Sequence, residues 1–175
     1  ISGSTISITN IGALGANPEA VRLLGRLFGT SEFLSRRLIH EPSLLEVLLD
    51  PELLRRATSR DALATEIWQA VAAADGPSGR LDALRRAKKR EELRIGLRDI
   101  LGGADLAETG RDLTALAEAC VETACRLAWD EARGRFGAPP CGYAVVGLGK
   151  LGGGELNYAS DLDLLFVYEE DGRTA

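Results

Sequence analysis

Two aspartates one residue apart, Asp161 and Asp163, follow a glycine-rich run, Gly147-Leu148-Gly149-Lys150-Leu151-Gly152-Gly153-Gly154. Three chemistries use parts of this pattern. Gly147, Gly149 and Gly152 match a dinucleotide-binding fingerprint after a strand, with Glu169 further on as the ribose acid. That reading needs a crossover helix of about ten residues, and the short, glycine-containing interval from Gly152 to Asp161 has no room for one. A P-loop needs a hydroxyl after its lysine, and Lys150 is followed by Leu151. The third chemistry is nucleotidyl transfer: a strand, a glycine turn, then Ser160-Asp161-Leu162-Asp163 at the start of a second strand. Alternate residues on a strand share a side, so Asp161 and Asp163 project together while Leu162 and Leu164 enter the core. Two neighbouring carboxylates repel, and a divalent cation between them offsets the repulsion. Magnesium takes carboxylate and phosphate oxygens together, which suits a triphosphate as ligand. The backbone N–H groups of Gly147 to Gly152 are open to phosphate because no Cβ intervenes. Ser160 either donates to a phosphate oxygen or caps a turn. Lys150 either neutralises phosphate or pairs with Glu155.

The elements that must hold this site fall into two stretches. Residues 1–16 read as a linker, 17–140 as a helical bundle, and 141–175 as the start of an incomplete nucleotidyltransferase domain. Asn17-Pro18-Glu19 signals a helix start. Val21, Leu24 and Phe28 form its stripe and Gly29 stops it. Thr30 or Ser31 caps a helix with Phe33, Leu34 and Leu38. Pro42 opens another through Leu49, and Asp50-Pro51 a fourth. Asp61 to Ala74 carries Leu63, Ile67 and Val71, ending at Asp75-Gly76-Pro77. A long helix defined by Leu81, Leu84, Leu93, Leu97, Ile100 and Leu101 follows, and its charged middle, Arg85 to Glu92, reads as a solvated face. The next runs from Leu106 to Phe136, with Leu113, Leu116, Ala117, Cys120, Val121, Ala124, Leu127 and Ala128 on a packing stripe. Tyr143 to Val146 and Leu162 to Tyr168 are apolar strand runs. The expected fold is mostly α, a bundle followed by the first strands of an α/β domain.

Composition narrows the function. The chain has 175 residues, 45% hydrophobic and 27% charged, enough for a real core and inconsistent with disorder. A net charge of −5 gives no basic surface for nucleic acid. No apolar run reaches the length of a membrane span, and the start lacks a signal-peptide pattern. One histidine, His40, excludes a His-rich metal site and argues against a Ser-His-Asp triad. Cys120, Cys125 and Cys141 lack a C-x-x-C pair and read as buried thiols in a reducing, cytoplasmic compartment. The chain contains no methionine, even at position 1, and reads as a piece of a longer protein.

The run from Val146 through Gly147-Leu148-Gly149-Lys150 and Asn157-Tyr158-Ala159-Ser160-Asp161-Leu162-Asp163 to Tyr168 resembles the signature of the glutamine synthetase adenylyltransferase and adenylyl-removing family, a branch of the polymerase-β-like nucleotidyltransferases. Leu27 to Ser35, Leu44 to Pro51 and Lys89 to Gly102 resemble the family's segments before its catalytic domain. The resemblance implies two nucleotidyltransferase halves. One transfers AMP from ATP to a tyrosine of glutamine synthetase, and the other removes it by phosphorolysis, under control of the PII signal protein and glutamine. It implies Asp161 and Asp163 as paired ligands of Mg2+, and Gly147, Gly149, Lys150, Gly152 and Ser160 as nucleotide contacts. The approach from Asn17 to Pro51 looks more like the adenylylating half, while Gly154-Glu155-Leu156-Asn157 resembles the removing half equally well. A helical docking module without activity of its own is the alternative. The family's third carboxylate and Arg-rich segment have no counterpart by Ala175, so the chain by itself is expected to be inert.

Overall fold

The computed structural model describes residues 12, 15–50, 52, 54, 56, 58–138 and 141–171. The expected linker over 1–16 and the helix opening at Asp50-Pro51 lie largely outside them. In order, the elements are α1 (Pro18–Thr30), α2 (Glu32–His40), a 3-10 turn (Pro42–Leu45), α3 (Glu46–Leu49), α4 (Arg60–Ala72), α5 (Gly76–Ile100), α6 (Leu106–Phe136), β1 (Tyr143–Gly147), α7 (Gly149–Gly153) and β2 (Leu164–Tyr168). The chain is mostly helical and closes on a two-stranded antiparallel sheet, as the patterning predicts. Among the described residues no helix is long and apolar enough to cross a membrane. The chain forms two compact units: residues up to 57 with 85–109, and 58–84 with 110–175.

In the first unit, Asn17 caps α1 as expected, its Oδ1 accepting the Ala20 N–H at 3.1 Å, with Pro18 in the first turn. The buried stripe is Ala20, Leu23 and Leu27, whereas Val21 and Phe28 are exposed, and the helix runs past Gly29 to Thr30. The sequence offers two apolar faces at helical spacing, and packing selects the other one. Ser31 caps α2 through the Leu34 N–H at 3.3 Å. Leu27, Leu34, Leu38, Leu44, Val47, Leu48, Leu93 and Leu97 meet in one apolar cluster.

The charged middle of α5 is a solvated face only in its first half. Arg85, Arg86 and Lys88 are exposed, but every residue from Glu91 to Leu97 is buried. The buried charges are paired. Glu91 accepts from Arg94 Nε at 2.7 Å, and Arg94 donates again to the Arg56 carbonyl at 2.6 Å. Glu92 accepts from Arg37 on α2 and from Lys88 at 3.2 Å. Lys89 reaches Glu41 at 2.6 Å. A buried carboxylate is tolerated only with such partners: Arg94 and Lys88 come from adjacent turns of α5 itself, and Arg37 from 55 positions away.

In the second unit, Ser59 caps α4 through the Ala62 N–H at 3.3 Å, and Leu63, Ile67 and Val71 are buried at their expected spacing. Leu81, at the start of α5, is exposed. On α6, Leu113, Leu116, Ala117 and Ala119 are buried, but Ala124 and Ala128 are exposed, so the packing stripe fades after Thr123. Beyond that point Trp129 stacks on Tyr143 with ring centroids 4.9 Å apart, and Arg126 lies over the Trp68 ring at 3.5 Å. The three cysteines are free and half-buried rather than buried. The β1–β2 register pairs Tyr143 with Tyr168 and Gly147 with Leu164. Antiparallel pairing, with a five-residue α7 between the strands, excludes the crossover that a dinucleotide fold requires. Most side chains of the two strands are exposed, Phe166 and Tyr168 among them.

Candidate functional site

The glycine run forms the bend between β1 and β2. Pairing of the strands continues one step past Gly147, where the Leu148 N–H donates to the Asp163 carbonyl at 2.9 Å. α7 follows, closed by the Gly154 N–H on Leu151 and the Glu155 N–H on the Lys150 carbonyl at 3.0 Å, with Gly154 left-handed at φ +71°. Two glycines are fixed by geometry. Gly149 holds φ +55°, and a Cβ there would stand 3.2 Å from Asp163 Oδ2. A Cβ on Gly152 would stand 2.5 Å from the Gly147 carbonyl oxygen, a backbone atom that cannot step aside. The missing Cβ at Gly152 therefore serves the loop's own closure, a reason the sequence reading did not contain.

Leu151 and Leu156 are buried and anchor the bend. From Leu156 the chain makes a tight turn, with the Ser160 N–H on the Asn157 carbonyl at 3.2 Å and the Asn157 N–H on Ser160 Oγ at 3.0 Å. Ala159 within this turn has φ 58°, an uncommon conformation for a residue with a Cβ. Ser160 is thus a turn cap through its oxygen. A hydroxyl has one proton to donate besides. Lys150 is exposed, and among the described residues it has no ion pair, with Glu155 or otherwise.

β2 begins at Leu164, so Asp161 and Asp163 lie on the approach to the strand and not within it. The strand-alternation argument therefore does not govern Asp161, and Leu162 is 39% exposed instead of entering the core. The turn at Ala159 precedes the strand, and among the described residues the sheet has two strands. The geometry does bring Asp163 against the glycine bend at Gly149. Asp161 and Asp163 are both exposed, and neither side chain has a hydrogen-bond or ion-pair partner among the described residues.

Behind the bend lies an open cavity of about 1020 Å³, lined by Glu118, Glu122 and Trp129 of α6, Tyr143 and Val145 of β1, and Gly152. Asp161 and Asp163 do not line it. Burial, aided by the neighbouring Cys125, holds the Tyr143 phenol above its ordinary pKa. Arg60, on the same cavity, is raised by its hydrogen bond to Asp61 against the opposing effect of burial, and is paired with Glu122 at 2.6 Å. Arg60 is thus committed to Asp61, Glu118 and Glu122.

For a metal, the described residues contain no cluster of three His, Cys, Asp or Glu side chains. Asp161 and Asp163 supply two hard oxygen donors free of other partners, a set that fits Mg2+ when water and phosphate oxygens complete the shell. Sequence reasoning passed over Thr114 of α6, whose buried hydroxyl accepts the Leu156 N–H at 3.2 Å. Its position one helical turn beyond Gly110 is the sole sequence trace of that contact.

The glutamate-ammonia ligase adenylyltransferase family matches residues 21–175. The bifunctional glutamine synthetase adenylyltransferase/adenylyl-removing enzyme of Pasteurella multocida (strain Pm70) is 37% identical over 171 residues, covering 93% of this chain. The matched stretch is 17% of that relative's length. The chain belongs to the glutamate-ammonia ligase adenylyltransferase family.

Proposed function

We propose that this chain carries part of a site that moves an adenylyl group between ATP and a tyrosine of glutamine synthetase. The observation that supports this reading is the pairing of Leu148 with Asp163, which sets one unpartnered carboxylate against the glycine bend with a second carboxylate two residues before it. In this role Asp161 and Asp163 hold Mg2+, Lys150 draws in phosphate charge, and the N–H groups between Gly147 and Gly152 orient the triphosphate. Ser160 keeps the turn that delivers the aspartates and has a proton to offer a phosphate oxygen. When bound, the metal supplies charge neutralisation at the phosphates. The residues' own work is to position ATP for attack by the tyrosine oxygen.

The first reading is the adenylylating direction, supported by the approach from Asn17 to the Leu45–Leu49 segment. The second is phosphorolytic removal, which the Gly154-Glu155-Leu156-Asn157 run resembles equally well; the relative's printed name carries both activities. PII and glutamine are the proposed regulators, and the cytoplasm the proposed location. Assay of the protein extended past Ala175, in both directions, separates the readings. Labelled AMP entering glutamine synthetase without phosphorolysis establishes adenylylation, and ADP release from adenylylated enzyme with phosphate establishes removal. Loss of neither activity in Asp161→Asn with Asp163→Asn contradicts the site.

A further inference from the structure

We infer that Thr114 of α6 is a positioning residue for the aspartate pair, an inference that rests on the adenylyl-transfer reading. From Gly152 to Asp163 the chain is exposed or half-buried except at Leu156, which is 4% exposed. This one buried point sets where the Asn157–Ser160 turn starts, and hence where Asp161 and Asp163 arrive. It is seated on α6 by Gly110 and Thr114. A Cβ on Gly110 would stand 3.4 Å from Glu155 Cα, so the helix backbone lies close beneath the segment. The Thr114 hydroxyl donates to the Gly110 carbonyl at 2.8 Å and accepts the Leu156 N–H at 3.2 Å. The first bond is the ordinary one for a helical threonine. The second fixes a backbone donor 42 positions away and orients the hydroxyl toward it. Both groups are buried, so no water replaces a lost partner.

The test uses the protein extended past Ala175, because residues 1–175 by themselves are expected to be inert. Thr114→Val keeps the shape and removes the hydroxyl, and Thr114→Ser restores it. In Thr114→Val, kcat is expected to fall about tenfold or more and half-saturation by Mg2+ to move to higher concentration, because small misplacements of reacting groups are costly. The KM for glutamine synthetase is expected to stay unchanged, and Thr114→Ser to return kcat toward wild type. A Thr114→Val protein that melts earlier yet keeps kcat and metal dependence has lost only packing, and that result overturns the inference. Asp161→Asn with Asp163→Asn separates the two claims. If that protein stays active, the adenylyl-transfer reading fails. If it is inactive while Thr114→Val matches wild type, only the positioning role fails. Should Thr114→Val not fold, hydrogen exchange at the Leu156 amide of the wild-type chain decides. Strong protection supports the clamp, and exchange at the rate of an unstructured chain refutes it.

Discussion

Two pairs of carboxylates close together in this chain are treated in opposite ways. Glu91 and Glu92 are buried, and each is met by a guanidinium, from Arg94 and Arg37 respectively. Asp161 and Asp163 are exposed beside a glycine bend and have no partner among the described residues. Charge at the first pair is consumed by the fold, since burial without partners is prohibitive. Charge at the second is uncommitted among the described residues, and the proposed function assigns it to a ligand. Composition alone does not distinguish them, because both are short acidic motifs. The distinction lies in what the folded chain brings alongside.

That comparison can be broken in order of expected effect. Arg94→Met leaves Glu91 buried with Arg90, at 4.0 Å, as its remaining cation, and the Arg56 carbonyl without this donor. It is expected to cost about 3–5 kcal/mol in urea unfolding, and adding Glu91→Leu should recover part of the loss because no unpaired carboxylate remains. Gly152→Ala drives a methyl group into the Gly147 carbonyl. A loss of about 1–3 kcal/mol is expected, together with weakened ATP binding, read by thermal unfolding and titration. Asn17→Ala removes the α1 cap at a cost of about 1 kcal/mol in the same unfolding assay, with ATP binding unaffected. Asp161→Asn with Asp163→Asn sits at the far end of the stability scale. The pair is exposed and unpartnered, so unfolding should shift by no more than about 0.5 kcal/mol.

Local signals carried much of the fold. Asn17 and Ser31 cap helices because a short polar side chain before an apolar period has few other uses. The span of α6 follows from sustained spacing. The errors arise where tertiary partners decide. Nothing near Glu92 announces Arg37, which lies 55 positions away, and no pattern in α1 chooses Ala20, Leu23 and Leu27 over Val21 and Phe28. At the site, the glycine bend and the aspartates were legible as a spacing motif. The positive φ of Ala159, the late start of β2 and the Thr114 contact were not, because each depends on where the turn is seated and not on residue type.

Under the proposed function, Asp161 and Asp163 hold a divalent cation for ATP. This role is tested most directly by titrating ATP into the full chain, with Mg2+ and with EDTA, for the wild type and the double asparagine variant. The expected result is binding in the wild type that requires Mg2+ and vanishes in the variant at unchanged stability. Equal, metal-independent binding in both proteins would contradict it.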